Sequence, residues 1–203
     1  MTDARSWYGD RLADAYDRAN PATRQGLPPA AAWLSGSVPD GGTLLDLGCG
    51  PGRDLPVLSR PDIHVIGVDI ALPMLRLAGR RHHPLLCADL TQLPLRDAVA
   101  DAVWCVAAWV HIPHRDLPHA AAELSRVLRP GGHAVVGVQR GSGERVELDP
   151  YLGEAPRLMV RYEESELITA LHEAGLHALP LATPGAELGN WVTTVVLKPY
   201  GTA

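Results

Sequence analysis

Residues 44–54 read Leu-Leu-Asp-Leu-Gly-Cys-Gly-Pro-Gly-Arg-Asp. An apolar run from Thr43 to Leu47 carries one acid, Asp46, and then breaks into glycines at alternating positions, Gly48, Gly50 and Gly52. A buried strand that runs into such glycines makes a tight turn where backbone must approach something bulky. A helix signal over 53–59 follows at once, so the turn is expected to open onto a helix N-terminus whose N–H groups favour polar or anionic ligand groups. A glycine-rich turn alone is shared by many folds, and its neighbours narrow the reading. A second strand, Ile63 to Asp69, ends in an acid at the point where nucleotide folds hold ribose hydroxyls. A third segment, Pro84 to Leu90, ends in another acid, Asp89.

Outward from these residues the chain alternates. Strands are expected near 43–47, 63–68, 84–87, 101–107 and 133–138, and helices near 53–59, 72–80, 116–128 and 163–174. That order implies a parallel sheet with helices on both faces and right-handed crossovers. Ahead of it, residues 4–19 and 27–35 read as two helices, the first carrying Trp7, Leu12 and Tyr16, the second tolerating Pro28 in its first turn. Arg140 to Arg161, rich in Gly, Glu and Pro, reads as a long loop, and such loops are often functional. Segments 177–182 and 191–197, joined by the polar link 183–190, suit an antiparallel pair at one sheet edge.

Four motifs resemble the class I S-adenosylmethionine-dependent methyltransferase family. Asp46-Leu47-Gly48-Cys49-Gly50-Pro51-Gly52 fits the family's D-x-G-x-G-x-G turn, Val68-Asp69-Ile70 its ribose-binding acidic loop, and Ala88-Asp89-Leu90 its adenine loop. Leu124 to Gly132, LSRVLRPGG, resembles the helix end before its fifth strand. The resemblance runs from about residue 10 to the C-terminus. It implies an α/β, Rossmann-like sandwich with a seven-stranded, mostly parallel sheet, in one domain over 1–203. Residues 1–38 would cover the cofactor site and 43–203 would form the core.

The resemblance also implies S-adenosylmethionine as cofactor and assigns residues to it. Gly48 and Gly50 would let backbone approach the ligand, and Ala107, at the end of the fourth strand, would face it. Asp69 would accept both ribose hydroxyls, with Ile70 beside it. Asp89 would meet the adenine amino group and Leu90 the ring, while Asp46 would orient the glycine loop or meet the ligand's ammonium. Tyr16, followed by Asp17, and Arg53 are candidates for the methionine carboxylate. Each has a plainer alternative: acids commonly start loops after strands, the tyrosines could cover the sheet edge, and Arg53 could be solvent-exposed.

Ligands of open α/β sheets bind beyond the carboxyl ends of the strands, so Ala108 to His114 should face the methyl acceptor. His111 is the residue there with a side chain suited to base work near neutrality, and it is the catalytic candidate; otherwise it packs or caps the next helix. His111, His114 and His119 lack an acidic or Cys partner at matching spacing, so no metal is expected.

Composition restricts the remaining choices. The 203 residues carry a formal charge of −5, with Lys198 the only lysine and the arginines scattered. That disfavours a protein that grips nucleic acid through many phosphates. Cys49, Cys87 and Cys105 show no metal or redox spacing, and read as small buried hydrophobes in a reducing cytoplasm. The N-terminus lacks the apolar core of a signal peptide, and no membrane span is expected. The reading is an enzyme moving a methyl group to oxygen or nitrogen of a small molecule such as a natural-product intermediate. The alternative is a methyltransferase-like binding or regulatory partner without transfer. A nicotinamide oxidoreductase is disfavoured, because the turn lacks G-x-G-x-x-G spacing.

Overall fold

The computed structural model describes residues 8–23, 26–179 and 190–201. Trp7, with the rest of 1–7, and most of the link 183–190 lie outside the described residues. The order is α1 (Asp10–Ala19), α2 (Pro28–Gly36), β1 (Thr43–Leu47), α3 (Leu55–Leu58), β2 (His64–Asp69), α4 (Leu72–Ala78), β3 (Leu85–Cys87), β4 (Ala100–Val106), α5 (Leu117–Val127), β5 (Leu128–Gln139), β6 (Glu144–Leu148), β7 (Pro156–Val160), α6 (Glu164–Glu173), β8 (His177–Ala178) and β9 (Trp191–Leu197).

Seven strands form one sheet in the order β3-β2-β1-β4-β5-β9-β8. β1 pairs in parallel with β2 and β4, β2 with β3, and β4 with β5, whereas β9 runs antiparallel to both β5 and β8. The chain winds outward from β1 on one side and from β4 on the other. The crevice at the carboxyl ends of those two strands is the topological switch point, where ligands of open α/β sheets bind.

Strand residues alternate between two cores, as the two-residue period of a pleated strand requires. Leu45, Val103, Cys105 and Val136 pack against Leu124 of α5 and Leu167 of α6. Leu44, Val65, Trp104 and Val135 pack against Leu34 of α2 and Leu55 of α3 on the opposite face. Each Leu taken from water into these layers contributes about 1.5–3 kcal/mol. The expected seven-stranded sheet with helices on both faces is the observed one.

Three local expectations need correction. The helix expected over 53–59 is a single turn, Leu55–Leu58, because Pro51 and Gly52 extend the turn and a β-configured Ser59 ends it. It is too short to act as a dipolar anion site. The segment 140–161 is no irregular loop: β6 and β7 form an antiparallel hairpin. Alternation in Glu-Arg-Val-Glu-Leu was hidden by three charges on a strand that stays mostly exposed. Cys87 is exposed, at the end of the three-residue edge strand β3, while Cys49 and Cys105 are buried. Among the described residues, no helix is long and apolar enough to cross a membrane, and no His/Cys/Asp/Glu cluster could hold a metal ion.

Candidate active site

A cavity of about 590 Å³ opens at the switch point, a volume in the range of small-molecule sites. Its floor is the set of loops that leave β1, β2, β3 and β4: Gly48 and Gly50, Asp69 to Ala71, Asp89 to Thr91, and Ala107 to His111. Tyr8 and Tyr16 border it from the N-terminal segment, and Leu158 and Glu144 from the hairpin.

The glycine turn is left-handed at every glycine, with φ of +79° at Gly48, +55° at Gly50 and +78° at Gly52. Gly48 and Gly50 serve different ends. A Cβ on Gly48 would stand 2.2 Å from the Ala108 Cβ, so the residue lets β1 and β4 loops touch; a Cβ on Gly50 would meet nothing within 4 Å. The bare face of Gly50 therefore borders open cavity. Ala107 also sits at positive φ, +63°, with its N–H held by the Gly137 carbonyl at 2.9 Å. A non-glycine residue in that region costs of order 1–3 kcal/mol, and such strain clusters at ligand sites.

Asp69 closes the turn. Its Oδ2 accepts the Gly50 N–H and its Oδ1 accepts the Ala71 N–H, both at 2.8 Å. Burial raises the Asp69 carboxyl above its ordinary value, and the backbone donors oppose that rise. Asp89 is ordered by its own loop: Oδ1 accepts the Thr91 N–H at 2.9 Å and the Thr91 hydroxyl at 2.7 Å. Ile70 and Leu90 supply apolar wall beside the two acids.

His111 lies in the 3-10 turn Trp109–His111 after β4. Its Nδ1 stands 2.8 Å from the Leu158 carbonyl, an acceptor, so Nδ1 carries the proton and Nε2 is the basic atom. Burial pulls its pKa down to about 4, the nearby Arg157 cation adds to the fall, and the Leu158 carbonyl opposes it. The ring is therefore neutral at pH 7, and its pKa lies further below neutral pH than that of an ordinary histidine.

Edge-on aromatic contacts tie the roof together. Tyr151 meets Tyr16 at 5.2 Å, Tyr16 meets Tyr8 at 5.9 Å, and Tyr8 meets His111 at 6.2 Å between centroids. Arg157 donates to the Tyr8 hydroxyl at 3.4 Å. The hairpin tip is held by Asp149, nearly fully buried, whose carboxylate accepts the N–H groups of Tyr151, Leu152, Gly153, Glu154 and Ala155. Burial alone would raise the Asp149 carboxyl; these donors hold it well below the usual carboxylate range.

Two expected ligand residues do not border the cavity. Asp46 and Arg53 are both buried below the turn. Arg53 Nε stands 3.6 Å from Asp54 Oδ1, and Asp54 Oδ2 accepts the Trp104 Nε1–H at 3.1 Å. Asp46 Oδ2 and Arg53 Nη1 are buried without a hydrogen-bond partner. Burial and the Asp54 charge push the Asp46 carboxyl well up, against the pull of Arg53. Arg53 is thus neither exposed nor in the wall. Conversely, the cavity wall includes Ala71, Glu144 and Leu158, which the four sequence motifs do not contain. An Asp two residues before Ala71 is an Asx-turn signal, and the alternation within 144–148 was the available sign of the hairpin.

The donor set fits S-adenosylmethionine: a hydrogen-only backbone face at Gly50, two strand-end carboxylates and an apolar wall between them. A family profile described as a methyltransferase domain matches residues 45–136. The chain is 32% identical over 190 residues to a malonyl-[acyl-carrier protein] O-methyltransferase of Herminiimonas arsenicoxydans, covering 90% of this chain and 68% of that protein. It is 32% identical over 142 residues to a tRNA (carboxymethyluridine(34)-5-O)-methyltransferase of Arabidopsis thaliana, covering 70% and 35% respectively. The chain thus spans between about a third and two thirds of these curated relatives. Its fold matches the Burkholderia thailandensis 1,6-didemethyltoxoflavin-N1-methyltransferase, solved with 1,6-didemethyltoxoflavin and S-adenosylhomocysteine, at a TM-score of 0.69 and 22% identity over 94% of this chain and 86% of that one. The chain belongs to the class I S-adenosylmethionine-dependent methyltransferases, a family of enzymes whose cofactor is S-adenosylmethionine.

Proposed function

We propose that this chain, acting as one methyltransferase domain, transfers a methyl group to an oxygen or nitrogen of a small-molecule acceptor. The observation that carries the reading is the roof: the N-terminal segment and the β6–β7 hairpin meet above the cavity through Tyr8, Tyr16 and Tyr151. A roofed cavity lined by Asp116 and Glu144 beside Arg115, and by Asp69 and Asp89, offers few cations among the described residues and suits a metabolite better than a phosphate backbone. Three free thiols fit a reducing compartment, the cytoplasm.

In this reading Asp69 and Ile70 hold the ribose end of the cofactor, Asp89 and Leu90 the adenine, and Gly48, Gly50 and Ala107 shape the backbone bed between them. Tyr16 covers the methionine end, while Asp46 and Arg53 support the glycine turn from beneath rather than touching the ligand. The cofactor supplies an electrophilic methyl group on a sulfonium. Alignment of acceptor and donor provides most of the acceleration, since well-oriented reactants reach effective molarities of about 10⁵–10⁸ M. His111 Nε2 takes the acceptor's proton, and the Leu158 carbonyl keeps Nδ1 protonated and the ring oriented. General bases contribute roughly 10²–10⁴-fold and work best with a pKa near the operating pH. A ring at about pKa 4 belongs near the lower limit, about 10²-fold.

The test is methyl transfer from radiolabelled donor into a bacterial metabolite extract, with bulk tRNA as a parallel arm. Label in a small molecule supports the proposal. Label in tRNA alone rejects the acceptor class, and donor binding without transfer to either favours a binding protein.

A further inference from the structure

Strand β6 is the outer strand of a two-stranded sheet. Its backbone polarity can be read from the ladder ends: the Asp149 N–H donates to the Ala155 carbonyl and the Arg161 N–H to the Gly143 carbonyl. Hydrogen-bonded and non-bonded pairs alternate in an antiparallel ladder, so odd-numbered residues of β6 bond to β7. The N–H and C=O groups of Glu144, Val146 and Leu148 are turned outward. Pro156, which has no N–H, stands opposite Leu148 as this requires. Among the described residues no other strand pairs with this edge. Its even-numbered side chains include Val146, 59% exposed, and Leu148, 63% exposed.

An unpaired edge with exposed apolar side chains is a template for another strand, and charges normally guard it. Here the charges are arranged to fit a copy of themselves. An antiparallel pairing centred on Val146 sets Val146 opposite Val146, Glu144 opposite Leu148, and Arg145 opposite Glu147 of the second copy. The outward groups of residues 144, 146 and 148 then bond to those of 148, 146 and 144. Arg145 has no ion-pair partner among the described residues, and Glu147 uses Oε1 for Arg161, at 3.1 Å. Its second oxygen is available to Arg145 of the other copy. Opposite charges directly across a ladder attract, whereas like charges repel.

We propose that β6 is a self-association edge, through which two copies join their hairpins into one four-stranded sheet about a two-fold axis at Val146. Val146 and Leu148 share a strand face with Glu144, which lines the cavity. The second copy therefore brings its Leu148 beside Glu144, and pairing adds apolar surface next to the cavity lining. A five-residue strand pair buries less than the about 1,200 Å² at the low end of stable interfaces, so the association belongs to the weak, concentration-dependent class.

Sedimentation velocity of the full chain, from micromolar to millimolar concentration, tests this. Wild type should shift from monomer to dimer as concentration rises. Val146→Pro removes an N–H that points away from β7, at an edge-strand position of the kind that tolerates proline, and should remain folded by circular dichroism and monomeric throughout. Arg145→Glu and Glu147→Arg should each be monomeric alone, since each sets like charges opposite one another twice. Mixed in equal amounts they should dimerise again, because the new glutamate faces the new arginine while the unchanged Glu147 and Arg145 pair as before. Wild type that stays monomeric at every concentration overturns the proposal, as does dimerisation that survives Val146→Pro. Two monomeric charge variants that fail to associate when mixed overturn the register.

Discussion

Asp69 and Gly50 are joined across the first loop of the sheet: the carboxylate that ends β2 accepts the N–H of the central glycine after β1, at 2.8 Å. The acid expected to bind ligand is therefore also the latch that holds the glycine turn. The same carboxylate takes the Ala71 N–H with its other oxygen. This removes the simplest expectation for a ribose-binding acid, that its loss would spare the fold.

Asp69→Asn should separate these duties only in part. One amide oxygen can replace one acceptor, while the NH₂ group opposes the second backbone donor. Thermal melts should show a loss of roughly 1–3 kcal/mol, the cost of a buried donor left unpaired. Calorimetric titration should show weakened S-adenosylmethionine binding in addition. Unchanged stability with weakened binding would remove the latch from this account, and unchanged binding would remove the ribose contact.

Gly48→Ala and Gly50→Ala should have opposite profiles. At Gly48 the new methyl collides with Ala108 at 2.2 Å, and overpacking with an unfavourable φ should cost roughly 2–4 kcal/mol. At Gly50 the methyl has open space, so only the backbone penalty applies, about 1 kcal/mol. Donor affinity should nonetheless fall in Gly50→Ala, because the added methyl enters the cavity that the proposed cofactor would fill. Chemical denaturation and donor titration of both variants decide the matter.

The acid limb of the kcat/KM profile should reflect His111. With its pKa held at about 4 by burial, a His111 base is neutral across most of the working range and activity falls only as pH approaches 4. An inflection near ~6.5, the ordinary value, would show a solvated ring instead. His111→Ala should lower turnover by about 10²-fold with little change in donor affinity. Full rescue by His111→Gln would assign the residue to positioning. The same shift has a stability consequence. A pKa lowered on folding means that the unfolded chain binds the proton more readily. The contribution is complete above ~6.5, declines as pH falls, and is gone below about 4. His111→Ala should flatten that slope.

Asp149→Ala should strip the hairpin tip of its acceptor. Five backbone N–H groups share this carboxylate, and some will rehydrate, so a loss of roughly 2–3 kcal/mol is expected. Its depressed carboxyl contributes stability that is complete above ~3.9 and is lost as pH falls below that value. Hydrogen exchange should accelerate in 144–160 and, through the Tyr151–Tyr16 contact, in α1. Exchange confined to the hairpin would show that the two halves of the roof act independently.

The sequence by itself determined the order of elements and the strand-end acids. Hydrophobic period, glycine turns and the acids Asp69 and Asp89 are local signals, and each is written in a few consecutive residues. Hence the parallel core, the switch point and the β1–β4 loops were legible. Only the tertiary structure decided what covers that crevice and which side chains reach it. The hairpin went unread because half of its alternation is charged and exposed, so no burial marks its period. Arg53 is adjacent to the glycine turn in sequence yet turns inward to Asp54, since the direction of a side chain after a left-handed turn depends on what packs below. The pKa of His111 is likewise a property of Leu158, Arg157 and the surrounding rings, brought together from distant segments. Local pattern fixes where backbone goes; burial, which fixes what a site can do, is a sum over neighbours that the chain order does not state.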